Sequence, residues 1–179
     1  MALMLTAEEK EKGNTEINRL IKALLKQAEE KIAKIKVDFS HSKILSILSG
    51  YDTEVEEAIL ESNLTESGCI APVIHDKGSF CHGRSNLLLL DPKSPIIYLQ
   101  HEEKELDKIL RNILQEEHPN ICTLDTFDLN ENQLWKTYYL SLQAYYLSLK
   151  IAKAKQMDLT MPEYNPKLIK TLYPYKGEM

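Results

Sequence analysis

The densest set of reactive side chains in this sequence is Gly78-Ser79-Phe80-Cys81-His82-Gly83-Arg84-Ser85. Two glycines flank a histidine, beside a thiol and a guanidinium. Glycine lets the backbone approach a ligand closely, imidazole exchanges protons near neutral pH, and guanidinium grips an anion through paired hydrogen bonds. The combination suits proton transfer beside an anion; taken alone, a turn carrying a surface histidine is the plainer reading. Sixteen residues before His82 stands Glu66, a carboxylate at the expected end of a helix, where solvation is the ordinary fate. A third candidate is Gly50-Tyr51-Asp52-Thr53, a strand-to-helix turn of the kind that presents amides to an anion. There Asp52 would repel a phosphate, and capping of the following helix by Asp52 or Thr53 accounts for the same residues.

Other chemistries lack their residues. His41, His75, His82, His101 and His118 show no paired zinc-type spacing with the cysteines, so no metal is implied. There is no P-loop, no GxGxxG fingerprint and no nucleophile elbow, and no cofactor is called for. Tyr138, Tyr139, Tyr145 and Tyr146 fall at helical spacing and are most simply packing residues. Cys69, Cys81 and Cys122 are odd in number and scattered, which points to reduced thiols in a cytoplasmic protein. The net charge of −5 argues against a nucleic-acid partner, though it leaves room for a phosphorylated small molecule held by a few local groups. No apolar run approaches the roughly 20 residues needed to cross a bilayer, so no membrane partner is expected.

These residues must be positioned by a scaffold, and the hydrophobic pattern describes one. With 43% hydrophobic and 27% charged residues, a chain of 179 residues suits one soluble domain. Residues 7–36 carry Ile17, Leu20, Ile21, Leu24, Leu25, Ala28, Ile32 and Ile35 at three- and four-residue steps, an amphipathic helix. From residue 43 the pattern alternates. Short apolar runs at 43–49, 70–74, 86–90, 95–100 and 121–124 read as strands, and 53–64, 103–117 and 130–156 as helices. Continuous rather than alternating apolar runs suit central parallel strands covered on both faces. The expectation is an α/β fold, with 1–39 as a linking or packing helix and 40–179 as the main module. A proline-punctuated tail from 158 onward should be irregular.

In their order and spacing these pieces resemble the sugar isomerase (SIS) family, specifically the second module of two-module phosphosugar isomerases such as glucosamine-6-phosphate synthase. The quoted stretches are AILESNLTE, ending at Glu66, and GSFCHG, Gly78 to Gly83, with the family's sixteen-residue Glu-to-His separation. Downstream, the 94–117 strand and helix, the long 134–151 helix and the NPKLIKT tail (165–171) are similar to the module's later elements. The resemblance implies a three-layer fold with a mostly parallel sheet. It makes Glu66 the base that moves a proton between C1 and C2 of an open sugar, with His82 assisting ring opening and Lys170 contacting or condensing with the carbonyl. Gly50, Tyr51, Thr53, Asn63, Gly83, Arg84 and Ser85 are the expected substrate contacts.

The resemblance also implies a phosphorylated sugar, a homodimer in which the turn histidine reaches a neighbouring subunit's site, and a first SIS module in this or another chain. Two positions depart from the synthase. Asn63 replaces a lysine three residues before the glutamate, and Arg84 replaces a proline. The family's Ser/Thr-rich phosphate loop belongs to the first module and has no match here. A non-catalytic phosphosugar-sensing or structural module is the alternative expectation.

Overall fold

The structure is a computed structural model that describes residues 7–86, 88 and 91–157, with side chains from Gly13 onward. The elements follow in the order α1 (Ala7–Ala33), β1 (Ile44–Ser49), α2 (Glu54–Ser67), β2 (Ala71–Asp76), α3 (Lys77–Phe80), β3 (Ile96–Gln100), α4 (Glu105–Glu117), β4 (Ile121–Asp125) and α5 (Gln133–Ala154). A 3-10 turn, Tyr51–Thr53, joins β1 to α2. The four strands form one parallel sheet in the order β2-β1-β3-β4, with Ile47 opposite both Ile74 and Ile97. The fold is α/β, as the sequence pattern leads one to expect.

Alternate residues along the strands feed two covering layers. Leu45, Ile47, Ile97, Leu99, Cys122 and Leu124 point to one side, where Leu60 and Leu64 of α2 and Leu140, Leu147 and Ile151 of α5 close over them. Leu48, Ile96 and Tyr98 point to the other, under Phe80 and Leu114, with Leu88 and Leu110 packed against them. α1 lies outside α5, its Leu24 and Ala28 against Tyr139. Two polar ties fix that helix. Lys150 Nζ donates to the carbonyls of Ile32 (2.8 Å), Ala33 (3.2 Å) and Ile35 (2.6 Å), and Lys31 Nζ reaches Asp125 Oδ1 at 2.7 Å. At the amino ends of the strands, Asn120 bonds the backbone of Asp38 in both directions (each 3.0 Å) and accepts no slack toward Lys93, whose carbonyl its Nδ2 reaches at 2.8 Å.

One expected strand is corrected. Residues 86–90 were the apolar run nearest the reactive turn, yet Arg84–Asn86 is a 3-10 turn and Leu88 is helical. The physical reason is that β1 and β3 pair directly, which leaves no slot for a strand between them. Leu88 instead joins the cover over Phe80 and Ile96. α4 is the helix expected at 103–117; along it Leu114 is buried, while Leu106, Ile109 and Ile113 are exposed. The proline-bearing tail, 158–179, lies outside the described residues.

Ile97 sits on the central strand β3 with no solvent exposure, whereas Ile109 on α4 is half-exposed. Ile97→Ala should cost about 2–5 kcal/mol through lost transfer energy and a residual cavity, and Ile109→Ala no more than about 0.5 kcal/mol. Urea denaturation midpoints at unchanged m-value check both figures.

Candidate functional site

In an open parallel sheet, the crevice for a ligand forms outside the carboxyl ends of the strands, where successive connections leave in opposite directions. Here that point lies between β1 and β3. The turn after β1 closes on itself: the Gly50 amide donates to Thr53 Oγ1 (3.0 Å), while the Thr53 amide and hydroxyl donate to the Gly50 carbonyl (2.9 and 3.1 Å). Thr53 therefore spends its side chain on the turn, and it makes no side-chain cap on α2. Tyr51 stands out at 92% exposure. Asp52 faces Lys104, across the crevice, at 3.9 Å.

The remaining charges at this edge are paired. Lys77 Nζ lies 3.1 Å from Asp107 Oδ1 and 4.7 Å from the centre of the Tyr98 ring. Tyr98 Oη donates to the same Asp107 oxygen at 2.6 Å. Burial first, then the Asp107 carboxylate, raises the phenol's pKa far above its ordinary value, so Tyr98 stays a neutral donor. Arg111 pairs with Glu103 and with Gln100 Oε1. Below the turn, Glu56 and His101 face each other at 3.4 Å with 1% and 2% exposure.

The Gly78–Ser85 stretch is built as an anchored, outward-facing turn. Asp76 Oδ1 accepts from the Ser79 amide at 2.8 Å and caps α3, and Phe80 is buried against the edge of the His75 ring at 5.3 Å. The hydrogen bonds from Ser79 hold the Asp76 carboxyl below its ordinary pKa, with Arg84 adding a small term in the same direction. Gly83 has φ 113, a conformation that a side chain would strain. Beyond Phe80 the chain turns outward, so His82 and Arg84 are exposed and Ser85 is half-buried.

Glu66 lies elsewhere. It is exposed in the last turn of α2, where it accepts from Ser62 Oγ at 2.8 Å. Asn63 lines a shallow hollow on the same helix with Val55, Ala58 and Ile59. Because α2 runs back from β1, its end lies toward the amino ends of the strands and in the α5 layer, while His82 follows β2 and belongs to the opposite layer. Within one chain, then, Gly50, Tyr51 and Thr53 gather at the strand tips. His82, Gly83, Arg84 and Ser85 form a second group, and Glu66 and Asn63 a third. Lys170 lies outside the described residues.

Sequence reasoning passed over Glu56, Lys77, His101 and Asp107. The one local signal was Thr53-x-x-Glu56, which has the form of a capping box but is not used as one. Among the described residues no cluster could hold a metal ion, and no helix is long and apolar enough to cross a membrane.

No protein-family profile matches the sequence, and no curated protein sequence matches it. Solved structures do. A provisionally assigned phosphosugar isomerase from Salmonella typhimurium LT2 superposes with a TM-score of 0.66 at 15% identity, over 84% of this chain and 47% of that one. Glucosamine-6-phosphate deaminase from Thermotoga maritima gives 0.60 at 15% identity, over 81% and 45%. The C-terminal domain of glucosamine-fructose-6-phosphate aminotransferase from Francisella tularensis gives 0.56 at 21% identity, over 86% and 48%. The likeness is one of fold. This chain has the SIS-type fold, and it spans about half the length of the solved structures it matches.

His75 and His118 are buried with both ring nitrogens lacking partners, and burial is the leading reason that each pKa is lowered from 6.5. The folded protein thus resists protons that the unfolded chain accepts. Stability should be full above about pH 6.5 and fall as the pH drops below it, until the folded-state values are passed. Melting temperatures from pH 7.5 to 5.5 test this, and His118→Leu should flatten part of the decline.

Proposed function

We propose that this chain is a phosphosugar-binding domain, one half of a sugar-phosphate aldose–ketose isomerase or a related amino-sugar enzyme. The observation that carries the proposal is the fold match. Over more than four-fifths of its length the chain follows proteins whose names place them on glucosamine 6-phosphate or related phosphosugars. The resemblance in the Glu66 and His82 stretches supports the same reading independently of backbone shape.

The chemistry assigns roles as follows. An aldose–ketose shift removes a proton from a carbon beside a carbonyl and returns it to the neighbouring carbon. It needs an open-chain sugar, a carboxylate at the carbon acid, and a donor or cation at the enediolate oxygen. Glu66 is the base, His82 assists ring opening, and Lys170 in the tail meets the carbonyl. Arg84 supplies positive charge near the turn in place of the missing lysine at Asn63. Gly50, Tyr51, Thr53, Gly83 and Ser85 are the proposed sugar contacts. The exposure of Glu66, His82 and Arg84 supports this, because a group meant for a ligand between chains must stand free in one chain. A first SIS module supplies the phosphate grip, the assembly is a homodimer, and the compartment is the cytoplasm.

Two measurements test the proposal. Thermal-shift titration with glucosamine 6-phosphate and fructose 6-phosphate should raise the melting temperature, and no shift with either would overturn the binding claim. In the complete two-module enzyme, Glu66→Gln should lower kcat by about 10²–10⁴-fold while leaving Kd nearly unchanged; a protein with no turnover to lose would be a sensing or structural module. If the site is shared between copies, mixing Glu66→Gln with His82→Ala subunits should restore roughly a quarter of the wild-type activity, since half of the dimers are mixed and each has one intact site.

A further inference from the structure

Glu56 and His101 are buried ionisable groups near the strand tips, and none of the roles above uses them. Glu56 is the third residue of α2, where its natural acceptor role would be a reach back to the Thr53 amide. That amide is already taken by the Gly50 carbonyl. Neither carboxylate oxygen of Glu56 has a hydrogen-bond partner, and His101 Nδ1 has none. The two side chains instead meet in the interior, Nε2 to Oε1 at 3.4 Å. His101 is itself held from behind, its carbonyl accepting from Thr126 Oγ1 at 2.9 Å.

Burying such a pair is poor economy if stability were the purpose. Apolar residues of similar volume commonly do as well or better, whereas removing one partner of a buried pair is costly. What the pair does accomplish is geometric. Glu56 belongs to the wall formed by the Gly50 turn and the start of α2, and His101 belongs to the wall that leads from β3 to α4. The rim above is bridged by Asp52 and Lys104, 3.9 Å apart and partly exposed, a contact worth about 0–1 kcal/mol.

The other charges facing this floor have their own partners. Glu57 takes the Ser49 hydroxyl, and Glu103 takes Arg111. Lys77 is held by Asp107, and Asp125 by Lys31. Glu102 offers its backbone carbonyl to Gln100 Nε2. Among the described residues, the attraction free to tie the two walls from below is therefore the one between Glu56 and His101.

We infer that Glu56 and His101 form a buried clamp that fixes the spacing of the two crevice walls and so act as positioning residues for a ligand bound there. The inference rests on the proposed phosphosugar reading only for the identity of that ligand. The contact is buried on both sides, so neither wall can shift at this depth without separating the two side chains.

The test is amide hydrogen exchange on the whole chain at one pH, near 7. Glu56→Gln and His101→Gln should each speed exchange of residues 50–57 and 101–105 about tenfold, equivalent to about 1.4 kcal/mol, and leave the α1–α5 amides unchanged. Unchanged exchange of residues 50–57 and 101–105 in either variant overturns the clamp. So does a uniform rise in exchange over the whole domain in both variants. Adding glucosamine 6-phosphate separates the two readings: a clamp signature without any ligand-induced protection removes the phosphosugar proposal and leaves the clamp standing.

Discussion

A parallel sheet must be covered on both faces, and the rest of this molecule follows from meeting that requirement with few residues. Four short strands, two of them buried along nearly their whole length, take α2 and α5 on one side and α4 with the Phe80–Leu88 segment on the other. The cover on the first side is regular helix. On the second it is one helix together with Phe80 and Leu88. That asymmetry puts the reactive turn on the thinner side, where its backbone is anchored by an apolar residue and an aspartate cap while its histidine and arginine face outward.

The same layering explains why the candidate groups fall into three sets. Chain direction sends each helix away from the strand tips, so a residue late in α2 ends near the amino edge, and a residue soon after β2 stays near the carboxyl edge. The sixteen-residue interval between Glu66 and His82 thus spans the full thickness of the sheet. Both groups are exposed, one on each covering layer. At the strand tips themselves the arrangement is inward-looking: lysines, carboxylates and the Tyr98 phenol satisfy one another, and the Gly50 amide is engaged by Thr53.

Much of the fold was legible because its strands are unbroken apolar runs and its helices repeat at three and four residues. Boundaries moved by a few residues where caps decided them, as at Gly68, whose positive φ ends α2 three residues later than periodicity implied. The run at 86–90 misled because hydrophobicity reports burial and not pairing: Leu88 is partly buried, but as cover rather than as a strand. The reactive turn was visible because all its parts are contiguous. Glu56 and His101 were not, since the partners are 45 residues apart and each alone looks like a commonplace surface charge. Their pairing depends on β1 lying next to β3, a fact of topology that no local pattern encodes. The apolar positions of α4 mark one helix face, yet Leu106 and Ile109 on it are exposed where Leu114 is buried.

Lys150 gives α1 a mechanical role that its position outside the core would not suggest. Its ammonium gathers the last free carbonyls of α1 and the link beyond it, and it does so from the middle of the region of α5 that seals the sheet. Because that lysine sits on the helix that seals the sheet, the end of α1 and the roof of the sheet are joined through a single ammonium group, and a change at one is felt first at the other.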